Sequence, residues 1–203
     1  MNTEGTVILV LLALLAAVSF LFLRTRAKLG KIHARLDTMA VTDEMTGVPN
    51  RRHLFQRFEE EFQEHRRQGT EMGCILIDLD RLRNINETHG HRTGDAVLKE
   101  FAHVMQGYIR GYDILGRTGG EEFMILLPLT SLLQAMAFAE RVRKTIEKDF
   151  AVTGPSGATV RLTISLGVSN LRAGDLSIDV VAKRAGEALL KAKESGRNRA
   201  ELA

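Results

Sequence analysis

Two groups of acidic residues stand where a folded chain usually avoids carboxylates. Asp78 and Asp80 end an apolar run that is typical of a buried strand, and Glu121 and Glu122 follow directly on a pair of glycines. Carboxylates crowded at strand ends repel one another and lose hydration, so a cation is expected among them. Hard oxygen ligands favour magnesium, which usually arrives with bound phosphates. Each acid taken singly is better explained as a solvated turn residue, but together they indicate a metal site.

Basic side chains near these acids could balance the charge of a phosphate. Arg83 lies one helical step beyond Asp80, and Lys193 and Arg197 are expected a turn apart on the last helix. Any one of them is more often a solvated surface charge.

Three polar residues bracket a predicted loop that contains Gly90 and Gly94. Asn86, His91 and Asp95 lie beside the acids in this interpretation. Asn and Asp side chains can bind the edge of a purine, and an Asp that accepts two N–H groups suits guanine. Asn86 and Asp95 could equally be helix caps, and His91 a structural hydrogen-bonding group. Composition and spacing alone therefore predict a nucleotide and metal site with these alternatives open.

The hydrophobic pattern predicts the elements that would hold these residues. Residues 50–65, 96–107, 132–150 and 177–194 have the periodicity of helices that bury one face. Residues 74–77, 113–117, 123–127 and 160–168 are predicted strands, and the glycine pair is a favoured hairpin turn. This mixture indicates one α/β domain over residues 42–203.

Bulk composition narrows the class of protein. The 203 residues are 44% hydrophobic and 26% charged with a net charge of +3, which is ordinary for a globular domain with an attachment. The single cysteine, Cys74, lies in an apolar run and indicates a buried thiol in a reducing compartment. Aromatic residues are 5% of the chain and no basic–aromatic stripe occurs, so nucleic-acid binding has little support.

The first residues differ from the rest in kind. An uncharged apolar run from Thr6 to Leu23 is long enough for a transmembrane helix, so residues 1–23 are predicted to be a membrane anchor. Basic residues follow the run, while the only charged side chain before it is Glu4. The chain is therefore predicted to be a single-pass protein of the inner membrane, with the part after the run in the cytoplasm. A buried core helix is the alternative. Residues 24–41 carry a short heptad-like stripe and are predicted to be a helical stalk that could pair with a second copy.

Four motifs in this order resemble the GGDEF family of diguanylate cyclases. The signature is Gly119-Gly120-Glu121-Glu122-Phe123, in the form with Glu in place of Asp. The others are the stretch from Thr42 to Arg52, the segment from Asp78 to Asp95, and Ala192-Lys193 with Gly196-Arg197-Asn198. The resemblance covers nearly all of the chain that follows the predicted stalk.

The resemblance implies a palm-type α/β fold, ferredoxin-like and similar to nucleotidyl cyclases, in which helices flank a sheet. It also implies a homodimer, because the site forms only when two domains face each other with one GTP each. Two GTP would be condensed to cyclic di-GMP with release of pyrophosphate.

Roles for individual residues follow from the same resemblance. Asp78, the Leu79 carbonyl and Glu121 would bind Mg²⁺ (or Mn²⁺), and Glu121 would help to deprotonate the attacking 3′-hydroxyl. The implied catalytic residues are Glu121, Glu122 and Arg83. GTP would be bound through a further set of residues, namely Asn86, His91, Asp95, Lys193 and Arg197.

A feedback site for the product is also implied. Arg110 and Asp113 match the family's Arg-x-x-Asp inhibitory site, and Arg117 is expected to contribute. An arginine fork on phosphate and an aspartate on guanine make chemical sense. A local ion pair at a helix-to-strand turn is the alternative.

Several positions depart from the family pattern. Leu82 and Arg83 stand where Phe and Lys are usual, and Gly186 and Leu190 stand where Asp and Tyr are usual. None of these changes removes an implied metal ligand or guanine-binding residue. Two alternatives to an active cyclase are a silent receptor for cyclic di-GMP and a relative that makes a mixed dinucleotide, against which the retained Asp95 argues.

Overall fold

The computed structural model describes residues 12, 15, 18–26, 28, 41–155 and 157–203. The chain divides into two compact units, residues 1–40 and 41–203. Most of the predicted anchor and most of the predicted stalk lie outside the described residues. Residues 18–26 are helical, and their large apolar side chains are exposed. Within the described ranges, no helix combines the length and the hydrophobicity that crossing a bilayer requires.

The second unit alternates helices with strands. Its elements are α1 (Arg51–Gln68), β1 (Met72–Leu79), α2 (Leu82–His89), α3 (His91–Gln106), β2 (Ile114–Arg117), β3 (Glu122–Pro128), α4 (Leu132–Asp149), β4 (Val152–Thr153), β5 (Thr159–Val160), β6 (Ile164–Asn170), α5 (Ile178–Glu194) and β7 (Ala200–Leu202).

Five strands of the described chain form one mixed sheet in the order β2-β3-β1-β6-β7. Neighbouring strands are antiparallel except β6 and β7, which are parallel. Strand β1 is therefore central, and the carboxyl end of β1 meets the amino end of β3. This is the predicted α/β fold, a sheet flanked by helices.

Each face of the sheet has its own apolar core, because alternate residues of β1 point to opposite faces. Ile75 and Ile77 pack with α3 and α4, while Met72 and Cys74 pack with α1 and α5. Burial on both faces explains why β1 is a nearly continuous apolar run, whereas in β6 buried serines and a glycine alternate with apolar residues.

Two predicted boundaries were wrong. The predicted loop around Gly90 and Gly94 is almost absent, because α3 begins at His91 rather than near residue 96. Gly90, with φ of +84°, ends α2 and also precedes α3, so a single glycine makes the whole connection. The predicted strand over residues 160–168 is two strands: Thr159–Val160 pairs with β4 in a separate ribbon, and β6 starts at Ile164.

Candidate active site

The two acidic segments meet where β1 and β3 pair. Asp78 lies opposite Glu122 in the register, and the Leu79 N–H donates to the Glu121 carbonyl at 3.2 Å. This pairing brings together carboxylates that are far apart in the sequence. The side chain of Glu122 folds back toward Gly119, where a β-carbon would lie 3.1 Å from Glu122 Oε2.

A lysine from the last helix reaches the same place. Lys193 lies in the last turn of α5, and its Nζ is 2.7 Å from Asp78 Oδ2. The position of α5 depends on Gly167 of β6, where a β-carbon would lie 2.0 Å from the Ala185 carbonyl oxygen. Only glycine permits this close approach of helix and strand, which places the end of α5 over the acids.

Burial makes these carboxylates unusual. Burial raises the pKa of Asp78 above its ordinary value, although the ammonium of Lys193 opposes this shift. The pKa of Glu121 is also raised, first by burial and then by the negative charge of Asp78. A second cation among these oxygens would therefore be stabilising.

Asp80 has a different role from the one expected for it. Its carboxylate accepts hydrogen bonds from Thr163 Oγ1 and Ser165 Oγ, both at 2.7 Å, and from the Asn198 backbone N–H at 3.1 Å. Three neutral donors satisfy this buried group without a metal. Asp80 thus fixes β6 and the turn after α5 beside the site.

The remaining donors fit a hard divalent cation. Asp78 and Glu121 supply two carboxylates with raised pKa values, and Leu79 contributes a carbonyl at the end of β1. No group of three or more His, Cys, Asp or Glu side chains is arranged as a metal site within the described part of the chain. Further ligands would have to come from a nucleotide or water, which is usual for Mg²⁺.

The residues expected to bind guanine lie on α2 and α3. The Oδ1 of Asn86 is buried with no hydrogen-bond partner in the described chain, and it lies against Gly94 of α3. A β-carbon at Gly94 would be only 1.9 Å from that oxygen. Asp95 is half-buried in the first turns of α3, and His91 is the exposed first residue of that helix.

The residues expected to bind phosphate do not form one cluster. Arg83 is exposed and pairs with Glu87 at 2.8 Å. Arg197 is not on the last helix as predicted, because α5 ends at Glu194 and Arg197 lies in the following turn with φ of +63°. That turn borders a cleft of about 420 Å³ that Arg81 and Arg161 also line.

A second cavity, of about 260 Å³, contains the expected product-binding pair. Asp113 accepts from the Arg110 backbone N–H at 2.8 Å, while its buried Oδ1 has no partner in the described chain. Burial raises the pKa of Asp113. Arg141 of α4 also lines this cavity, together with Phe138.

Arg117 does not line the cavity that holds Arg110 and Asp113, contrary to expectation. It lies at the other end of β2, where its guanidinium donates to Asp43 Oδ1 at 3.0 Å. The same guanidinium donates to the Gly119 and Gly120 carbonyls at 3.1 and 2.6 Å. A strand rises by about 3.3 Å per residue, so Arg117 at the end of β2 lies well away from Asp113, which precedes its start.

The sequence interpretation missed Arg141, the contact that Gly94 makes with Asn86, and the positioning role of Arg117. Gly94 has a recognisable signal, since a glycine inside a helical pattern often marks a close contact. Arg141 and the contact of Arg117 with Asp43 have no local signal, because Arg141 is distant in the chain from Arg110 and Asp113, and Arg117 is distant from Asp43.

Comparisons with known proteins identify the family to which the chain is similar. A family model described as "Diguanylate cyclase, GGDEF domain" matches residues 40–199. The response regulator PleD of Caulobacter vibrioides is 36% identical over 160 residues, which are 79% of this chain and 35% of PleD. The chain spans less than half of the length of PleD and of the other curated relatives compared.

Solved structures with the same fold include two informative ones. The active GGEEF domain of a diguanylate cyclase from Vibrio cholerae is 35% identical with a TM-score of 0.69, over 75% of this chain and 96% of that one. The GGDEF domain of DgcB from Caulobacter crescentus, in complex with c-di-GMP, is 27% identical with a TM-score of 0.76, over 80% of this chain and 92% of that one.

Proposed function

The chain belongs to the GGDEF family of diguanylate cyclases, and on that premise we propose that it condenses two GTP molecules into cyclic di-GMP. Each of two steps forms a bond between a 3′-oxygen and an α-phosphorus and breaks the bond from that phosphorus to the bridging oxygen. Two pyrophosphates leave. The reaction requires two domains facing each other, so the working form is a homodimer.

The observation that carries this proposal is that Asp78 and Glu121 come together where the end of β1 meets the start of β3, since the Leu79 N–H donates to the Glu121 carbonyl and the charge of Asp78 raises the pKa of Glu121. Both carboxylates have raised pKa values, and both lie near the end of β1, where the Leu79 carbonyl is also found. These three groups would hold Mg²⁺ or Mn²⁺, which when bound neutralises charge on the phosphates and lowers the pKa of a coordinated hydroxyl.

Proton transfer falls to Glu121. Its carboxylate would lie beside the metal ion that it shares with Asp78, close to the hydroxyl that the same ion activates. It takes the proton of the attacking 3′-hydroxyl. Glu122 borders the glycine turn and supports the position of Glu121 within it.

The remaining residues bind and orient GTP. Asn86, with its buried unpartnered oxygen, and Asp95 bind the guanine edge, and His91 lies beside them. Lys193, Arg197 and Arg83 contact the triphosphate, with the cleft after α5 as the space for it. Positioning and charge neutralisation of this kind account for most of the catalysis in phosphoryl-type transfers.

The cavity with Arg110 and Asp113 is proposed as a feedback site for cyclic di-GMP. The GGDEF domain of DgcB is known in complex with c-di-GMP, which supports binding of the product by a domain of this fold. Asp113 has a buried oxygen without a partner, and Arg110 and Arg141 supply positive charge on either side of it. Arg110→Ala should relieve inhibition by added product without lowering the initial rate.

The apolar run from Thr6 to Leu23 is proposed to anchor the chain in the inner membrane, with the cyclase domain in the cytoplasm. Separation of membranes from soluble material, followed by detection of the chain, tests this assignment.

Incubation of the purified full chain with GTP and Mg²⁺ or Mn²⁺ tests the activity. Chromatography should detect cyclic di-GMP, and Glu121→Gln should lower its rate of formation by about a hundredfold or more. Glu100→Gln, at an exposed position of α3, is the matched control and should keep the wild-type rate. Binding of cyclic di-GMP with no turnover at high protein concentration would instead identify a silent receptor.

A further inference from the structure

Lys193 was expected on the triphosphate, yet its ammonium contacts Oδ2 of Asp78, a carboxylate that is proposed to bind the metal. Its Nζ is 2.7 Å from Asp78 Oδ2, and the two side chains are 30% and 6% exposed. A contact this short and this well shielded from water is stronger than an ordinary surface ion pair.

An ammonium and a divalent cation cannot share this oxygen without strong repulsion. Asp78 and Asp80 are both buried. The oxygens of Asp80 already accept hydrogen bonds from Thr163, Ser165 and Asn198, so Asp78 is the one of the two that is left to bind a cation. A metal ion on the same carboxylate would repel the Lys193 ammonium, and an ammonium that moves away needs a new anionic partner.

The nucleotide supplies that partner. Lys193 has a flexible stem and lies in the last turn of α5, next to the turn of Gly196 and Arg197 that borders the 420 Å³ cleft. Phosphate oxygens in this cleft would accept the ammonium when it leaves Asp78, so charges stay paired throughout the exchange.

We propose that Lys193 competes with the divalent cation for Asp78, so that metal and nucleotide enter the site together and metal alone binds weakly. This inference rests on the proposed function, because it takes Asp78 as a metal ligand. Lys193 is then a positioning residue with two alternative partners.

Titration of the purified full chain with Mn²⁺ tests the exchange, with unbound Mn²⁺ followed by electron paramagnetic resonance at pH 8. Without nucleotide, Lys193→Met should bind Mn²⁺ about fivefold or more tightly than wild type. With 3′-deoxy-GTP, which lacks the attacking hydroxyl, the same variant should lose nucleotide-dependent uptake of Mn²⁺, measured beyond the Mn²⁺ that the nucleotide binds without protein. Circular dichroism confirms that each variant is folded.

Two controls make the test specific. Lys193→Arg keeps the positive charge and should bind Mn²⁺ alone as weakly as wild type. Lys191→Met, at an exposed position of α5, should leave both titrations unchanged.

The outcomes separate the two proposals. If wild type takes up Mn²⁺ with 3′-deoxy-GTP but Lys193→Met binds Mn²⁺ alone no more tightly, the exchange is refuted and the metal site stands. If wild type takes up no Mn²⁺ even with the nucleotide, the metal assignment of the proposed function fails as well.

Discussion

Replacement of Gly94 by alanine should lower kcat/KM for GTP while changing the free energy of unfolding little. A β-carbon at Gly94 would lie 1.9 Å from Asn86 Oδ1 and 2.9 Å from Asn86 Cγ. Both distances are far inside van der Waals contact, so the Asn86 side chain must rotate away. Its amide would then leave the position from which it is proposed to bind guanine.

The size of the effect follows from the contact that is lost. An amide that binds a base edge contributes about 1–3 kcal/mol to discrimination. The value of kcat/KM for GTP should therefore fall by about 5- to 150-fold. Stability should change little, because alanine favours a helix over glycine by about 1 kcal/mol and offsets the strain of moving Asn86.

Steady-state kinetics with GTP and urea unfolding measure the two quantities on the same preparations. Gly186→Ala is the matched control, since it is also a helical glycine and its β-carbon would meet nothing within 4 Å. It should gain about 1 kcal/mol of stability and keep its kinetics. An unchanged kcat/KM in Gly94→Ala would refute the role given to Asn86.

Three further predictions concern other parts of the domain. Arg117→Met should lower kcat by about tenfold or more with little change in KM, because it frees the Gly119 and Gly120 carbonyls next to Glu121; equal kcat would contradict this. Burial raises the pKa of the Cys74 thiol to about 12, so a disulfide reagent at pH 8 should label it only after unfolding in guanidinium. Asp175→Asn breaks a bidentate pair with Arg184 and should lower the free energy of unfolding by about 2–3 kcal/mol at pH 7. Arg184 lowers the pKa of Asp175 in the folded chain below its ordinary 3.8. The difference in unfolding free energy between wild type and Asp175→Asn should therefore be complete above pH 3.8 and shrink as the pH falls through the pKa of Asp175 in the folded chain. Urea unfolding at a series of pH values measures it.

Local pattern was sufficient for most of the elements. The helices α1, α4 and α5 and the hairpin of β2 and β3 lie close to where periodicity and turn residues predicted them. Such elements are encoded by residues near one another in the chain. The predicted start of α3 was wrong because Gly90 and Gly94 are typical of loops. In the fold Gly94 lies within α3, where the absence of a β-carbon leaves room for the side chain of Asn86.

The sequence by itself determined which residue types are available for chemistry, and their order relative to the strands and helices. The acids, the glycine pair and the basic residues near the end of the chain were all recognisable from neighbours a few positions away. Family resemblance rests on the same local runs.

Only the tertiary structure decided which of these groups contact one another. It placed Lys193 on Asp78, satisfied Asp80 with donors from β6 and the turn after α5, and paired Arg117 with Asp43. The reason is physical: each contact joins residues far apart in the chain, and its geometry is set by strand register and by how closely α5 approaches β6 at Gly167. No local pattern of side chains encodes either quantity.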